Sequence, residues 1–155
     1  MRAPERGFTL LELAVVMAVI SLLLAVSGPS VGKLSATLEY RDAVRQLVSA
    51  HKKARRAARA SGHAVDVVID ANKNRFAVTS DARRLQERQY APLAENLRIE
   101  VTFAQEISPG NGLAAIRFYP EGGASGGEVV IQRPSGSGTK LTIDWLIGDV
   151  RRESL

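Results

Sequence analysis

Hydrophobic and polar positions change their spacing twice along the chain, and the changes mark three regions. Residues 8–26, FTLLELAVVMAVISLLLAV, are apolar all round, with only Thr9, Glu12 and Ser21 polar. From residue 31 the apolar positions recur at helical spacing: Val31, Leu34, Leu38, Val44, Leu47, Val48, then Ala50, Ala54, Ala57 and Ala58. Lys33, Glu39, Arg41, Arg45, Lys52, Arg55 and Arg59 fill the positions between them, so this half reads as an amphipathic helix with one stripe to bury. Gly62 is a natural stop. From His63 onward the period becomes that of strands: AVDVVID (64–70), a turn at ANKN (71–74), RFAVTS (75–80), LRIEVTF (97–103), AIRFYP (115–120), EVVIQR (128–133) and KLTIDWLIGDV (140–150). In 97–103 Leu97, Ile99, Val101 and Phe103 share one face, and Arg98, Glu100 and Thr102 the other. Leu141, Ile143 and Trp145 share a face in the last strand, which places the lone tryptophan in the core. Glycine loops separate the later strands, and the polar stretch 80–96 reads as a loop or short helical turn. The expected fold class is α+β: one long N-terminal helix packed on an antiparallel sheet of about six strands, with one sheet face on the helix and the other toward solvent.

The first region has the length of a membrane span. At 1.5 Å per residue, residues 8–26 extend roughly 28 Å, close to the hydrocarbon thickness of a bilayer. Arg2 and Arg6 precede them, which keeps the N-terminus cytoplasmic and puts the remainder across the membrane. Ala25-Val26-Ser27 also offers a signal-peptidase pattern, so a cleaved secretory signal competes with a retained anchor. Glu12 weighs toward retention. It is the sole charge between Arg6 and Lys33, and a carboxylate at bilayer depth costs roughly 2.5–3.5 kcal/mol. A disposable signal gains nothing from that cost, whereas a retained helix gains if the acid finds a cation. Snorkelling of Glu12 to the interface is the simpler alternative.

Composition narrows the chemistry. The 155 residues contain no cysteine, which removes disulfides, thiolate metal sites and thiol catalysis. Aromatic residues make up 5%, so the core relies on aliphatic side chains. The formal charge is +5, concentrated in residues 41–60, which hold seven Lys or Arg against Asp42. The run Lys52-Lys53-Ala54-Arg55-Arg56-Ala57-Ala58-Arg59 has the charge for phosphate contacts but lacks interleaved aromatics for base stacking, and reads as a solvated helix face. His51 and His63 read as surface residues. Asp66, Asp70, Asp81 and Asp144 are scattered, and Ser125 reads as a turn residue. GSGTK (136–140) lacks the order of a phosphate loop. No catalytic residue, cofactor site or metal site is assigned, and the chain reads as a non-enzyme.

RGFTLLELAVVMAVISLLLAV resembles the leader and first helix of type IV pilins and type II secretion pseudopilins. IRFYPEGGASGGEVVI and LTIDWLIGDVR are similar to the C-terminal strands of the H-type minor pseudopilins, with related fimbrial minor pilins sharing the domain. The resemblance implies a leader at 1–7, a transmembrane helix segment at 8–29, an amphipathic periplasmic helix at 30–62 and a β-sheet domain at 63–155. It implies cleavage by prepilin peptidase between Gly7 and Phe8, N-methylation of Phe8, pairing of Glu12 with the new amine, and a helix kink at Pro29. The implied setting is a single pass of the bacterial inner membrane with the domain in the periplasm. The implied partners are other minor pseudopilins, the major pseudopilin, the peptidase and membrane lipid, with nucleic acid disfavoured. The alternative is a minor type IV pilin serving pilus assembly or DNA uptake.

Overall fold

The computed structural model describes residues 9–110 and 112–155, the side chains of 24–34 aside. Helix α1 runs Leu10–Ser61. It ends where the sequence places its stop: Gly62 takes φ +70° and its N–H donates to the Ala58 carbonyl at 3.0 Å. The chain divides into two compact units with their boundary between Leu38 and Glu39.

In the unit Met1–Leu38, the described apolar side chains of residues 10–23 are all exposed, with Leu10 at 88% and Leu22 at 68%. The Ser21 hydroxyl is satisfied locally, donating to the Met17 carbonyl at 2.8 Å. Among the described residues no helix is long and apolar enough to cross a membrane. The span expected over 8–29 lies partly outside the described residues, which exclude Phe8 and the side chains of 24–29.

In the unit Glu39–Leu155, the described residues form eight strands in two antiparallel four-stranded sheets rather than the single sheet expected. The first sheet has the order β3-β2-β1-β5, from Ala91–Pro92, Arg75–Thr79, Val65–Asp70 and Ala114–Phe118. The second has the order β4-β6-β7-β8, from Arg98–Thr102, Gly127–Gln132, Gly138–Ile143 and Val150–Ser154. Stretch 140–150 is therefore not one strand. It is a hairpin whose two arms, β7 and β8, pair from Ile143↔Val150 outward. The 80–96 segment holds two 3-10 turns, Ala82–Arg84 and Glu87–Gln89, and strand β3.

One apolar core joins α1 to both sheets. Val44, Leu47, Ala50, Ala54 and Ala58 from the helix meet Val67, Ile69, Ile116 and Phe118 from the first sheet and Ile99, Val129, Ile131 and Leu141 from the second. The alanines let the helix approach closely. Three expectations fail here. Leu38 is exposed rather than on the stripe. His51 is fully buried: its Nδ1–H donates to the Leu47 carbonyl at 2.6 Å and its ring meets Phe118 edge-on at 6.0 Å. Trp145 is 69% exposed, because β7 stops at Ile143 and the alternation that would have buried position 145 stops with it.

The outer face of the first sheet is also closed. Asp66 and Asp70, on alternate positions of β1, are buried and meet register partners across the sheet. Arg117 grips Asp66 in two hydrogen bonds of 2.7 and 2.8 Å, and Arg75 holds Asp70 at 2.9 Å. These bonds hold the Arg117 guanidinium above its ordinary pKa, the Asp66 hydrogen bond being the largest cause. Arg75 reaches on to Glu87 and lies over the Tyr90 ring at 4.1 Å, tying the 80–96 segment to the sheet. The contact with Arg75 pulls the Glu87 carboxyl below its ordinary range. Asn74, at φ +42°, donates its amide to the carbonyls of Ala94, Glu95 and Leu97.

Candidate processing and assembly site

The chemistry of the N-terminal site begins with Thr9 and Glu12. The Thr9 N–H donates to Glu12 Oε2 at 3.3 Å, and the Glu12 N–H donates to Thr9 Oγ1 at 3.2 Å. This reciprocal pair is a capping box: Thr9 precedes the first helical residue and Glu12 is the third. Two N–H groups that no helical carbonyl can reach are thereby satisfied. The negative charge also faces the positive end of the helix dipole. The signal was present in the sequence as T-L-L-E, a Thr three residues before a Glu at the start of an apolar run, and reading Glu12 only as a buried acid missed it.

Glu12 is exposed, and its neighbours Leu10, Leu11, Leu13, Val15 and Val16 are exposed too. The acid sits on a helix end whose whole circumference is apolar. Gly7 and Phe8, expected to flank the cleavage site, lie outside the described residues, as does the side chain of Pro29, expected to kink the helix. A carboxylate has about four lone-pair sites, so the Thr9 N–H leaves capacity for an ammonium.

Among the described residues no group of three or more His, Asp or Glu could hold a metal ion. His63 is exposed, with Nδ1 2.8 Å from the Ser61 carbonyl oxygen. Burial pushes the His51 imidazole down to about 4, partly opposed by its bond to Leu47, and its Nε2 is buried without a partner among the described residues. Ser125 serves its turn, its hydroxyl accepting the Arg117 N–H at 3.1 Å.

A helix with an apolar, singly charged start, continuing into a two-sheet domain, defines a pilin-like subunit. A family model for the prokaryotic N-terminal methylation motif matches residues 2–28. The model for the type II transport protein GspH matches residues 43–146, more than half of the chain, and the protein belongs to that family. Two solved structures share the fold. The minor pseudopilin EpsH from the type 2 secretion system of Vibrio cholerae is 14% identical, covering 76% of this chain and 96% of its own, with a TM-score of 0.54. The type IV minor pilin FimU of Pseudomonas aeruginosa is 18% identical, covering 77% and 92%, also with a TM-score of 0.54. No curated protein matches significantly.

Proposed function

We propose that the protein is a minor pseudopilin of the type II secretion system, a structural subunit at or near the tip of a periplasmic pseudopilus that supports export across the outer membrane. The observation that carries this reading is the joining, in one chain, of the methylation motif over 2–28 to the GspH-family domain over 43–146. In this reading prepilin peptidase cuts between Gly7 and Phe8, and Phe8 is N-methylated. The segment 8–29 crosses the inner membrane once, and the domain lies in the periplasm. Family membership implies assembly with other pseudopilins.

Glu12 then has two successive roles. Before cleavage it caps α1 through Thr9. After cleavage the Phe8 ammonium, its own or a neighbour's, adds a charge-assisted hydrogen bond that offsets the cost of placing the acid in lipid. The pairing also sets axial register, because a misplaced acid would face hydrocarbon alone.

The mass of the mature protein from membranes tests the cut. A chain beginning at methylated Phe8 is expected. A chain beginning after Ser27, or an uncut one, overturns the reading. Gly7→Leu is expected to leave the leader attached. Glu12→Ala is expected to insert and be cut normally but to fail in co-purification with other pseudopilins; normal incorporation removes the pairing role.

A minor type IV pilin is the second reading, favoured by the equal structural likeness to FimU and by the exposed cations Lys52, Lys53, Arg56 and Arg59. It predicts DNA retention that falls steeply with salt.

A further inference from the structure

The last turns of α1 carry a strongly basic surface. A concavity of about 240 Å³ is lined by Lys52, Arg55, Arg56, Arg59 and Asp149. Four cations face one carboxylate there, and that carboxylate lies 3.6 Å from Arg55, beyond hydrogen-bonding reach. Arg55 Nε is buried and has no acceptor among the described residues. A buried guanidinium N–H without an acceptor is costly to leave so, and the site is short of an anion.

The turn between β7 and β8 adjoins this concavity. A Cβ at Gly122 would sit 3.3 Å from Arg59 Nη2, and one at Gly123 would sit 2.7 Å from the Trp145 carbonyl oxygen, so the glycine loop joins the cations to the turn. Trp145 is 69% exposed there, Leu146 64% and Ile147 48%. The backbone under them is pinned. Asp144 Oδ1 accepts the N–H groups of Leu146 and Ile147 at 2.9 and 3.2 Å, and the Ala124 N–H donates to the Trp145 carbonyl at 2.9 Å. A turn already held in place loses little chain entropy on docking. Tryptophan and arginine are among the residues most enriched where binding energy concentrates.

We infer that the turn 145–147 and the basic concavity form one docking surface for an acidic segment of a different pseudopilin. An Asp or Glu side chain enters the concavity, and apolar side chains cover the turn. A guanidinium fork takes a carboxylate in two parallel hydrogen bonds. Leu146 and Ile147 call for an apolar counterpart beside it, which a phosphate backbone lacks. A lipid surface also suits tryptophan with cations, but it presents a plane, whereas these cations line a hollow that takes a protruding side chain. The occupant is a different protein because a subunit at or near the tip stands beside unlike subunits. The inference rests on the secretion reading and gives that reading a contact surface.

To test this, p-benzoylphenylalanine is placed at position 146 of the full-length chain in its native envelope and irradiated. The expected adduct joins the chain to a different pseudopilin, at a peptide carrying Asp or Glu. Arg56→Glu with Arg59→Glu should cut the adduct roughly tenfold, and reversing the mapped carboxylates to Arg should restore it. Recovery on charge exchange also shows that the variant, altered at two exposed positions, still folds. The inference is overturned by no adduct, by a yield indifferent to charge reversal, or by no recovery on exchange. Transfer to lipid, to nucleic acid, to a second copy of this chain or to a protein other than a pseudopilin overturns it too. The mature N-terminal mass and co-purification with other pseudopilins, measured on the same samples, report separately on the secretion reading. A chain that begins at Phe8 and co-purifies, yet captures none of them through position 146, keeps that reading and loses this surface.

Discussion

Residues 10–23 and residues 40–58 belong to one helix and solve opposite problems. The first stretch exposes apolar side chains on every side and carries one acid. The second hides a single stripe, with Leu47, Ala54 and Ala58 fully buried, and turns its cations outward. Apolarity alone does not specify burial within the chain. The distribution of charge around the helix does: a stripe is completed by the molecule's own sheets, while a full apolar circumference needs lipid or other helices. The carboxylates repeat the contrast. Asp66 is buried and held by Arg117 within the domain, whereas Glu12 is exposed and, among the described residues, bound to its own helix end.

The largest effect is expected at the domain core. Phe118→Ala should destabilise the detergent-solubilised chain by about 4 kcal/mol in denaturant unfolding, while Leu11→Ala should leave that transition unmoved. A shift with Leu11→Ala would mean that the two stretches are not independent. His51 gives the next effect. Its folded pKa, about 4, lies below the ordinary 6.5. Its contribution is therefore full above pH 6.5 and is lost as pH falls toward 4, because the unfolded chain takes up the proton first. The loss is about 3 kcal/mol. His51→Leu should flatten the stability profile across that window; an unchanged slope would assign the dependence to carboxylates.

Smaller effects sharpen the contrast between the acids. Asp66→Asn should cost about 2 kcal/mol, since it leaves Arg117 without its charged acceptor. Glu12→Gln preserves much of the cap and should cost the helix start under about 1 kcal/mol, by amide exchange of the first turn, while removing the charge that assembly needs. Trp145→Ala should change stability by less than about 0.5 kcal/mol, because the side chain is exposed. A large loss of melting temperature would return the tryptophan to the core.

Much of this architecture was legible in linear order. Helical spacing identified Val44, Leu47, Ala54 and Ala58 as buried, Gly62 marked the end of α1, and alternation in 97–103 separated Ile99 from Arg98 and Glu100. The same alternation misled at Trp145, where a turn interrupts it, and the basic surroundings misled at His51, whose own position faces the sheet. T-L-L-E was visible as a cap but hidden by a more conspicuous role for the glutamate.

The long helix, most of the strands and the lone acid near the N-terminus were readable in linear order, because periodicity and the cost of a lone charge among apolar residues are local properties read along the chain. The division of the strands into two sheets, the pairing of Asp66 with Arg117 across 51 positions and the outward facing of residues 145–147 emerge when the chain folds. Those outcomes depend on which strands pair and where a ladder stops, and pairing is settled by contacts between residues far apart in the chain.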